Sequence, residues 1–188
     1  MNKNASVKQS PTSARTMTSV TALRANARRK IDDGAVTAGY AGDLKQVLKM
    51  LNEALATEIV CMLRYKRHYF MASGVHAEAV AAEFLEHAKQ EEEHADAIAK
   101  RIVQLGGEPD FSPDTLTKRS HAEYVTGSSL MDMVKEDLVA ERIAIDSYKE
   151  MIEVIGDTDT TTRRMIEWIL AVEEEHADEL ASLLDAGH

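Results

Sequence analysis

One six-residue segment occurs twice in the chain, and no other feature limits the possible folds as strongly. The segment Glu-Glu-Glu-His-Ala-Asp spans residues 91–96 and recurs 82 positions later at 173–178. A further glutamate, Glu58 or Glu141, lies 33 or 32 residues before the corresponding copy. This duplicated spacing predicts two similar helical hairpins that face each other and contribute the same side chains.

Apolar residues recur at spacings of three, four and seven over four long segments, which predicts four amphipathic helices. Glycines such as Gly106 and Gly156 are expected to end helices, and Asp43 and Ser128 or Ser129 to begin them. The predicted helices span about residues 44–72, 77–105, 129–155 and 160–184. The long link over 107–128 can cross the bundle. The chain is therefore predicted to be all-α, a ferritin-like four-helix bundle with one long crossover between helices two and three.

Four glutamates and two histidines fall on the apolar lines of these helices, so we expect them to point into the core. Burying an ionised carboxylate costs several kcal/mol, and two divalent cations would cancel four such charges. Carboxylate and imidazole together suit iron or manganese, and this is the ligand set of di-iron carboxylate bundles. We predict two iron ions per chain, with manganese as the alternative. The predicted metal-binding and catalytic residues are Glu58, Glu91, His94, Glu141, Glu173 and His176.

Two other residues lie on the same helix faces, Tyr65 seven positions after Glu58 and His87 seven positions before His94. We predict that they contact the ligands without binding metal, although a core tyrosine and a ligating His87 are alternatives. Cys61 is expected to pack in the core. The other histidines and the second and third glutamates of each repeat are expected on the surface: His68, His76, His121, His188, Glu92, Glu93, Glu174 and Glu175.

Charge is distributed unevenly along the chain. Residues 1–30 contain seven Lys or Arg and no Asp or Glu, and the remaining residues hold 15 basic against 32 acidic side chains. An acidic body favours the capture of cations. A basic, Ser- and Thr-rich segment is typical of disorder, of DNA binding or of an import leader. We expect a basic, largely disordered extension over 1–40 and a di-metal bundle over 41–188.

The single cysteine, Cys61, excludes an intrachain disulfide and a Cys-x-x-Cys metal site. A chain with this cysteine usage is expected in a reducing compartment, here the cytoplasm. No segment approaches the roughly 20 apolar residues that span a bilayer, and no secretory leader is expected. We therefore predict no membrane partner.

Four segments resemble the helices of the bacterioferritin and ferritin-like di-iron family: LNEALATEIVCMLRY, EEEHADAIAKRIVQLGGEP, EDLVAERIAIDSY and EEEHADELASLL. The resemblance covers roughly residues 40–185. It implies that Glu91 and Glu173 bridge two metal ions and that the other four predicted ligands are terminal. Tyr65 matches a tyrosine near the site of that family.

The chain departs from bacterioferritin at three points. Glu92 replaces a methionine that ligates haem, so no haem is expected, and Glu179 replaces a tryptophan three residues after the last histidine. The chain ends soon after helix four, which leaves little sequence for the fifth helix that closes a 24-subunit shell. A 12-subunit shell, as in Dps proteins, is expected instead. The chain thus resembles bacterioferritin in its metal site and Dps in its length.

The leading hypothesis is a ferroxidase that oxidises Fe(II) with O2 or H2O2 and stores or detoxifies the product within a homo-oligomeric shell. A Dps-like DNA-binding stress-protection protein is an alternative, because the basic segment would bind phosphate. Another di-metal enzyme, such as a manganese catalase, is a second alternative because the same ligands would serve it.

Overall fold

A computed structural model describes residues 16–29, 31–32, 34–75 and 77–186. The chain divides into two compact units, residues 1–38 and 39–188. Residues 1–15, 30 and 33 of the extension predicted to be largely disordered, together with His76 and His188, lie outside the described residues.

Among its described residues, the first unit contains one short helix, α1, which spans Val20–Ala27. It begins at Ser19, whose side-chain oxygen accepts a hydrogen bond from the backbone N–H of Ala22 at 3.3 Å. No residue of α1 is buried, and Arg28 donates to the Arg24 carbonyl at 2.8 Å.

The second unit is built from four long helices and one short one. Ser129 and Asp43 begin α5 and α2, because their side chains accept backbone N–H groups at 3.2 and 3.1 Å. The four predicted bundle helices are confirmed, with ends that differ by one or two residues. The helices are α2 Leu44–Met71, α3 Ala77–Gln104, α4 Leu116–Arg119, α5 Leu130–Ile155 and α6 Thr160–Ala186.

The bundle is held together by pairs of neighbouring helices. The closest neighbours are α2 with α3 and α5 with α6, and the two hairpins meet where α2 contacts α5 and α3 contacts α6. The core includes Leu51, Leu55, Ile98, Ile166 and Ile169, each with no exposed surface. None of the described helices combines the length and the apolarity that crossing a membrane requires. The predicted all-α bundle is therefore confirmed over the described residues.

The crossover from α3 to α5 includes α4 and lies against α2, as the contacts between α2 and α4 indicate. The Arg119 guanidinium donates to the Asn52 carbonyl at 2.9 Å and to the Asp110 carbonyl at 2.8 Å. Arg64 donates to the Glu123 carbonyl at 2.8 Å, and Thr57 accepts the N–H of His121 at 3.0 Å. These side chains join the crossover to α2 and satisfy the crossover backbone groups of Asp110, His121 and Glu123.

Candidate metal centre

Six polar side chains meet inside the bundle, in two overlapping groups. Within each group the ligand atoms lie within 4.8 Å of one another. Helices α2 and α5 contribute one glutamate each, whereas α3 and α6 contribute a glutamate and a histidine one turn apart. None of the six residues is more than 1% exposed. The groups are Glu58, Glu91, His94 and Glu173, and Glu91, Glu141, Glu173 and His176.

Glu173 faces both histidines with different carboxylate oxygens. Its Oε1 lies 3.1 Å from His94 Nδ1, and its Oε2 lies 3.3 Å from His176 Nδ1. His94 Nδ1 also lies 3.2 Å from Glu58 Oε2, and His176 Nδ1 lies 3.6 Å from Glu91 Oε1. Both imidazoles therefore direct Nδ1 toward the carboxylates. Because Glu91 and Glu173 belong to both groups, they are placed where a carboxylate can bridge two cations.

The donor atoms of this cluster fit a pair of divalent cations. Buried polar atoms normally make hydrogen bonds. Within the described part of the chain, however, no hydrogen bond reaches Glu91 Oε1, His176 Nδ1 or either oxygen of Glu173. Four carboxylates and two imidazoles without a thiolate match the preference of iron and manganese.

In the metal-free cluster, the burial and crowding of the carboxylates raise the pKa values of Glu91 and Glu141. Burial and the neighbouring charge of Glu173 raise the pKa of Glu91 to about 7. The same two causes raise the pKa of Glu141 well above its ordinary value. A pair of cations would remove this repulsion and favour the ionised carboxylates.

The pKa values of Glu173 and His176 shift in the directions expected for an ion pair, down for the carboxyl group and up for the imidazole. Burial alone would raise the pKa of Glu173, but the imidazoles of His176 and His94 lower it to about 2. Burial alone would lower the pKa of His176, but Glu173 and Glu91 raise it to about 9. A metal ion bound at His176 must therefore displace a proton from the imidazole.

Two tyrosines connect the hairpins crosswise. The Tyr65 hydroxyl of α2 donates to Glu141 of α5, and the Tyr148 hydroxyl of α5 donates to Glu58 of α2. Tyr65 thus has the place predicted for it, beside a carboxylate. No role was predicted for Tyr148 from the sequence, although each tyrosine lies seven residues after a core glutamate. That shared spacing was the signal for the second tyrosine.

Comparison with known proteins gives the family. Residues 48–187 match the model of the ferritin-like domain. The chain belongs to the ferritin-like domain family. The bacterioferritin of Mycobacterium avium is 30% identical to this ferritin-like chain over 145 residues, which are 74% of the chain and 84% of the relative.

Solved structures agree with this assignment to the ferritin-like family. A dodecameric thioferritin, the bacterioferritin-related protein of Bacteroides fragilis, superposes with a TM-score of 0.74 and 31% identity. The match covers 77% of this ferritin-like chain and 88% of that one. Dps from Staphylococcus aureus superposes with a TM-score of 0.73 at 22% identity, over 77% of this chain and 98% of its own. This likeness to Dps shows the shared fold alone.

The two histidines of the six-residue cluster differ in what their Nε2 atoms contact. His176 Nε2 lies 2.8 Å from Gln90 Oε1, so the glutamine fixes the ring orientation. His94 Nε2 is buried without a hydrogen bond among the described residues. The His94 ring lies perpendicular to the Trp168 ring, with their centroids 5.1 Å apart. Sequence reasoning missed Gln90 and Trp168, since neither lies on the apolar line of its helix.

His87 lies beside the six-residue cluster but in neither ligand group. Its ring stacks on His176 with the centroids 3.9 Å apart and meets Tyr65 edge-on at 5.2 Å. Its Nε2 lies 2.9 Å from Glu179 Oε2 and 3.5 Å from Glu83 Oε1. Burial and the charge of His176 lower the pKa of His87 to about 4, so the imidazole is neutral near pH 7. The contacts fit the predicted role of a residue that touches a ligand.

The prediction that His68 lies on the surface is wrong, because this histidine has no exposed surface. His68 Nδ1 lies 2.7 Å from Asp137 Oδ2, and Arg64 donates to Asp137 Oδ1 at 2.8 Å. Asp137 lies one turn before Glu141 on the core face of α5, where it attracts both basic side chains of α2 into the interior. Periodicity within α2 alone gives no sign of this partner.

The other predicted surface residues that are described lie where expected. Cys61 is buried in a small cluster with Ala122 and Ala140, as predicted for a packing residue. The exposed residues are His121, Glu92, Glu93, Glu174 and Glu175.

Proposed function

We propose that this ferritin-like protein is a ferroxidase that binds two Fe(II) ions in the six-residue cluster and oxidises them with O2 or H2O2. The observation that carries the proposal is a buried set of four carboxylates and two imidazoles in which two glutamates are common to both groups. The likeness to bacterioferritin supports iron as the metal. The oxidised product would then be stored or kept harmless.

The residues divide into three roles under this proposal. Glu91 and Glu173 would bridge the two ions, because each belongs to both groups. Glu58 and His94 would complete the ligands of one ion, and Glu141 and His176 those of the other. Two Fe(II) ions would supply one electron each, which together with two protons reduce O2 to H2O2 or H2O2 to two water molecules.

The surrounding protein prepares the site for this chemistry. Tyr65 and Tyr148 hold the carboxylates of Glu141 and Glu58 in place through hydrogen bonds. Two Fe(II) ions balance the charge of the four ionised carboxylates, which is costly in the bundle without them. The packed helices exclude bulk water, which strengthens each electrostatic contact.

A shell of twelve copies in the cytoplasm is the assembly we propose. The Bacteroides fragilis relative, described as dodecameric, matches 77% of this chain and supports that number. The acidic body of the chain would draw Fe(II) toward such a shell. Sedimentation of the purified protein measures the number of copies directly.

The test of the ferroxidase proposal removes both bridging carboxylates. The variant Glu91→Ala/Glu173→Ala is expected to oxidise Fe(II) no faster than buffer does, with helix content unchanged by circular dichroism. The matched control, Glu93→Ala/Glu175→Ala, removes two exposed glutamates from the same helices and should keep full activity. Undiminished oxidation by the first variant would overturn the proposal.

DNA binding is a second candidate function, favoured by seven basic and no acidic residues over 1–30. Cationic segments bind phosphate with an affinity that falls steeply with salt. A gel-shift comparison of the full chain with residues 31–188 tests it. A shift by the full chain alone supports DNA binding by this segment, and the absence of any shift rules it out.

A di-manganese enzyme is a third candidate, because carboxylate and imidazole ligands suit manganese as well. Metal analysis of protein purified from its native host separates this candidate from the ferroxidase. Manganese in that sample, together with turnover of H2O2 without iron, would favour a catalase. Iron in the sample and no such turnover would exclude it.

A further inference from the structure

Three side chains outside the six-residue cluster bring together a second set of atoms of the kinds that ligate metal ions. Glu83 and His87 lie one turn apart on α3, and Glu179 lies on α6. One ligand atom from each lies within 4.8 Å of the others, with His87 Nε2 directed at both carboxylates. A cation can contact three atoms at this spacing together. We call this set the outer trio.

The outer trio reaches from solvent into the bundle. The side chains of Glu83 and Glu179 are 36% and 42% exposed, whereas that of His87 is 1% exposed. Over the described residues, the ion pairs of both carboxylates are made with His87 and not with Lys or Arg. The negatively charged carboxylates of Glu83 and Glu179 thus lie beside a buried imidazole nitrogen, and no described Lys or Arg forms an ion pair with them. A divalent cation matches that charge.

The duplicated sequence shows that the outer trio is not part of the repeated ligand plan. A shift of 82 positions, which superposes the two Glu-Glu-Glu-His-Ala-Asp segments, aligns Glu83 with Met165 and His87 with Ile169. The same shift aligns Glu179 with Ala97. The equivalent face of the other half is therefore apolar. The outer trio thus has no counterpart at the positions that the repeat makes equivalent.

The outer trio is in direct contact with the inner cluster. The His87 ring stacks on the His176 ring with their centroids 3.9 Å apart. His176 in turn belongs to the group that contains Glu91, Glu141 and Glu173. An ion held by the trio is therefore separated from that group by a single pair of stacked imidazoles.

We propose that Glu83, His87 and Glu179 form a third divalent-cation site, which takes up Fe(II) from solvent and delivers it to the inner cluster. The delivery role rests on the proposed ferroxidase function. Two carboxylates and one imidazole suit Fe(II) and Mn(II). No electron is transferred at the trio, since the ion arrives and leaves in the same oxidation state.

The test counts bound Mn(II), which serves as a probe that O2 does not readily oxidise. Equilibrium dialysis of the metal-free full-length protein, with excess Mg²⁺ to suppress weak surface binding, is expected to give three Mn(II) per chain. Glu83→Gln/Glu179→Gln should bind two, because its half-exposed amides keep the shape but lose the charge. Glu93→Gln/Glu175→Gln, which loses the same charge at exposed positions, should bind three.

Kinetics test the delivery role. At Fe(II) concentrations below saturation, Glu83→Gln/Glu179→Gln should oxidise Fe(II) about tenfold more slowly, as expected when a charged cleft no longer concentrates its cation. The Glu93→Gln/Glu175→Gln control should keep the wild-type rate. An unchanged rate in the trio variant would overturn delivery.

Failure of the third site differs from failure of the ferroxidase proposal. Two Mn(II) per wild-type chain, or three in the trio variant, would overturn the third site. Glu91→Ala/Glu173→Ala should lose the inner pair and keep the one ion of the trio. If that variant instead binds as many ions as the wild type, the inner cluster is not a metal centre, while the trio is judged by its own variant.

Discussion

The two hairpins of the bundle contribute the same residue types to the six-residue cluster, but the residues that surround these ligands differ between them. Each contributes two glutamates and a histidine, and each contributes a tyrosine that bonds to a glutamate of the other. Beyond these residues, Gln90 beside His176 aligns with Val172 in the other half, and His87 aligns with Ile169. The comparison shows that the two halves share their ligands but differ in the residues around them, which are polar in one half and apolar in the other.

The same contrast applies to the buried polar side chains that connect α2 with α5. Asp137 holds Arg64 and His68 in the interior, and the shift of 83 positions that relates Glu58 to Glu141 aligns Asp137 with Ala54. One hairpin therefore carries an acidic anchor that the other lacks. Substitutions on paired positions can show which differences matter.

The largest effect is expected at Asp137. Replacement of Asp137 by Ala leaves Arg64 and His68 buried without their carboxylate, which should lower the free energy of unfolding by about 3–5 kcal/mol. Urea unfolding measures the loss. The exposed Asp146 on the same helix is the matched control and should change stability by less than about 0.5 kcal/mol when replaced by Ala. Equal effects at the two positions would show that Asp137 stabilises the bundle no more than an exposed carboxylate on the same helix.

The pH dependence of metal affinity follows from the raised pKa values of Glu91, about 7, and His176, about 9. Below each value the metal-free group holds a proton that the metal must displace, so affinity falls as pH falls. From pH 8 to 7 the His176 proton alone should cost about tenfold. From pH 7 to 6 the protons of His176 and Glu91 together should cost about fiftyfold, because Glu91 is already half protonated at pH 7. Isothermal titration with Mn(II) measures this, and a constant affinity from pH 6 to 8 would refute it.

The layer outside the histidines is tested at Gln90. Leucine at this position removes the partner of His176 Nε2 and should weaken metal binding in that half by about 10–100-fold. Val172→Leu, the aligned change in the other hairpin, keeps an apolar neighbour and should alter the Mn(II) affinity little. Similar losses in both variants would mean that Gln90 is not what distinguishes the two histidines.

The smallest effect is expected at the crossed tyrosines, where the hairpins agree. Tyr65→Phe and Tyr148→Phe each remove one hydrogen bond to a buried carboxylate, so each should destabilise the metal-free protein by about 1 kcal/mol. Thermal unfolding of the two variants side by side gives the comparison. A much larger effect in one variant would show that the crossed bonds are not equivalent.

Sequence periodicity predicted the parts of this molecule that depend on a single helix. The four bundle helices follow from apolar spacing and capping residues, and the repeat predicted that the six polar residues converge. Periodicity could not predict which side chains of different helices contact one another. His68 was misplaced because its partner lies 69 positions away on α5, and Gln90 was missed because its contact depends on how α3 and α6 pack. Glu83 and Glu179 resemble ordinary surface charge until the fold brings them to His87.

The most direct test of the centre is an anomalous-scattering map from crystals soaked anaerobically with Fe(II). We expect two iron peaks inside each chain, one bound by Glu58 and His94 and the other by Glu141 and His176. Glu91 and Glu173 should contact both peaks. A map without iron among these six side chains, recorded from crystals that bind iron elsewhere, would contradict the account.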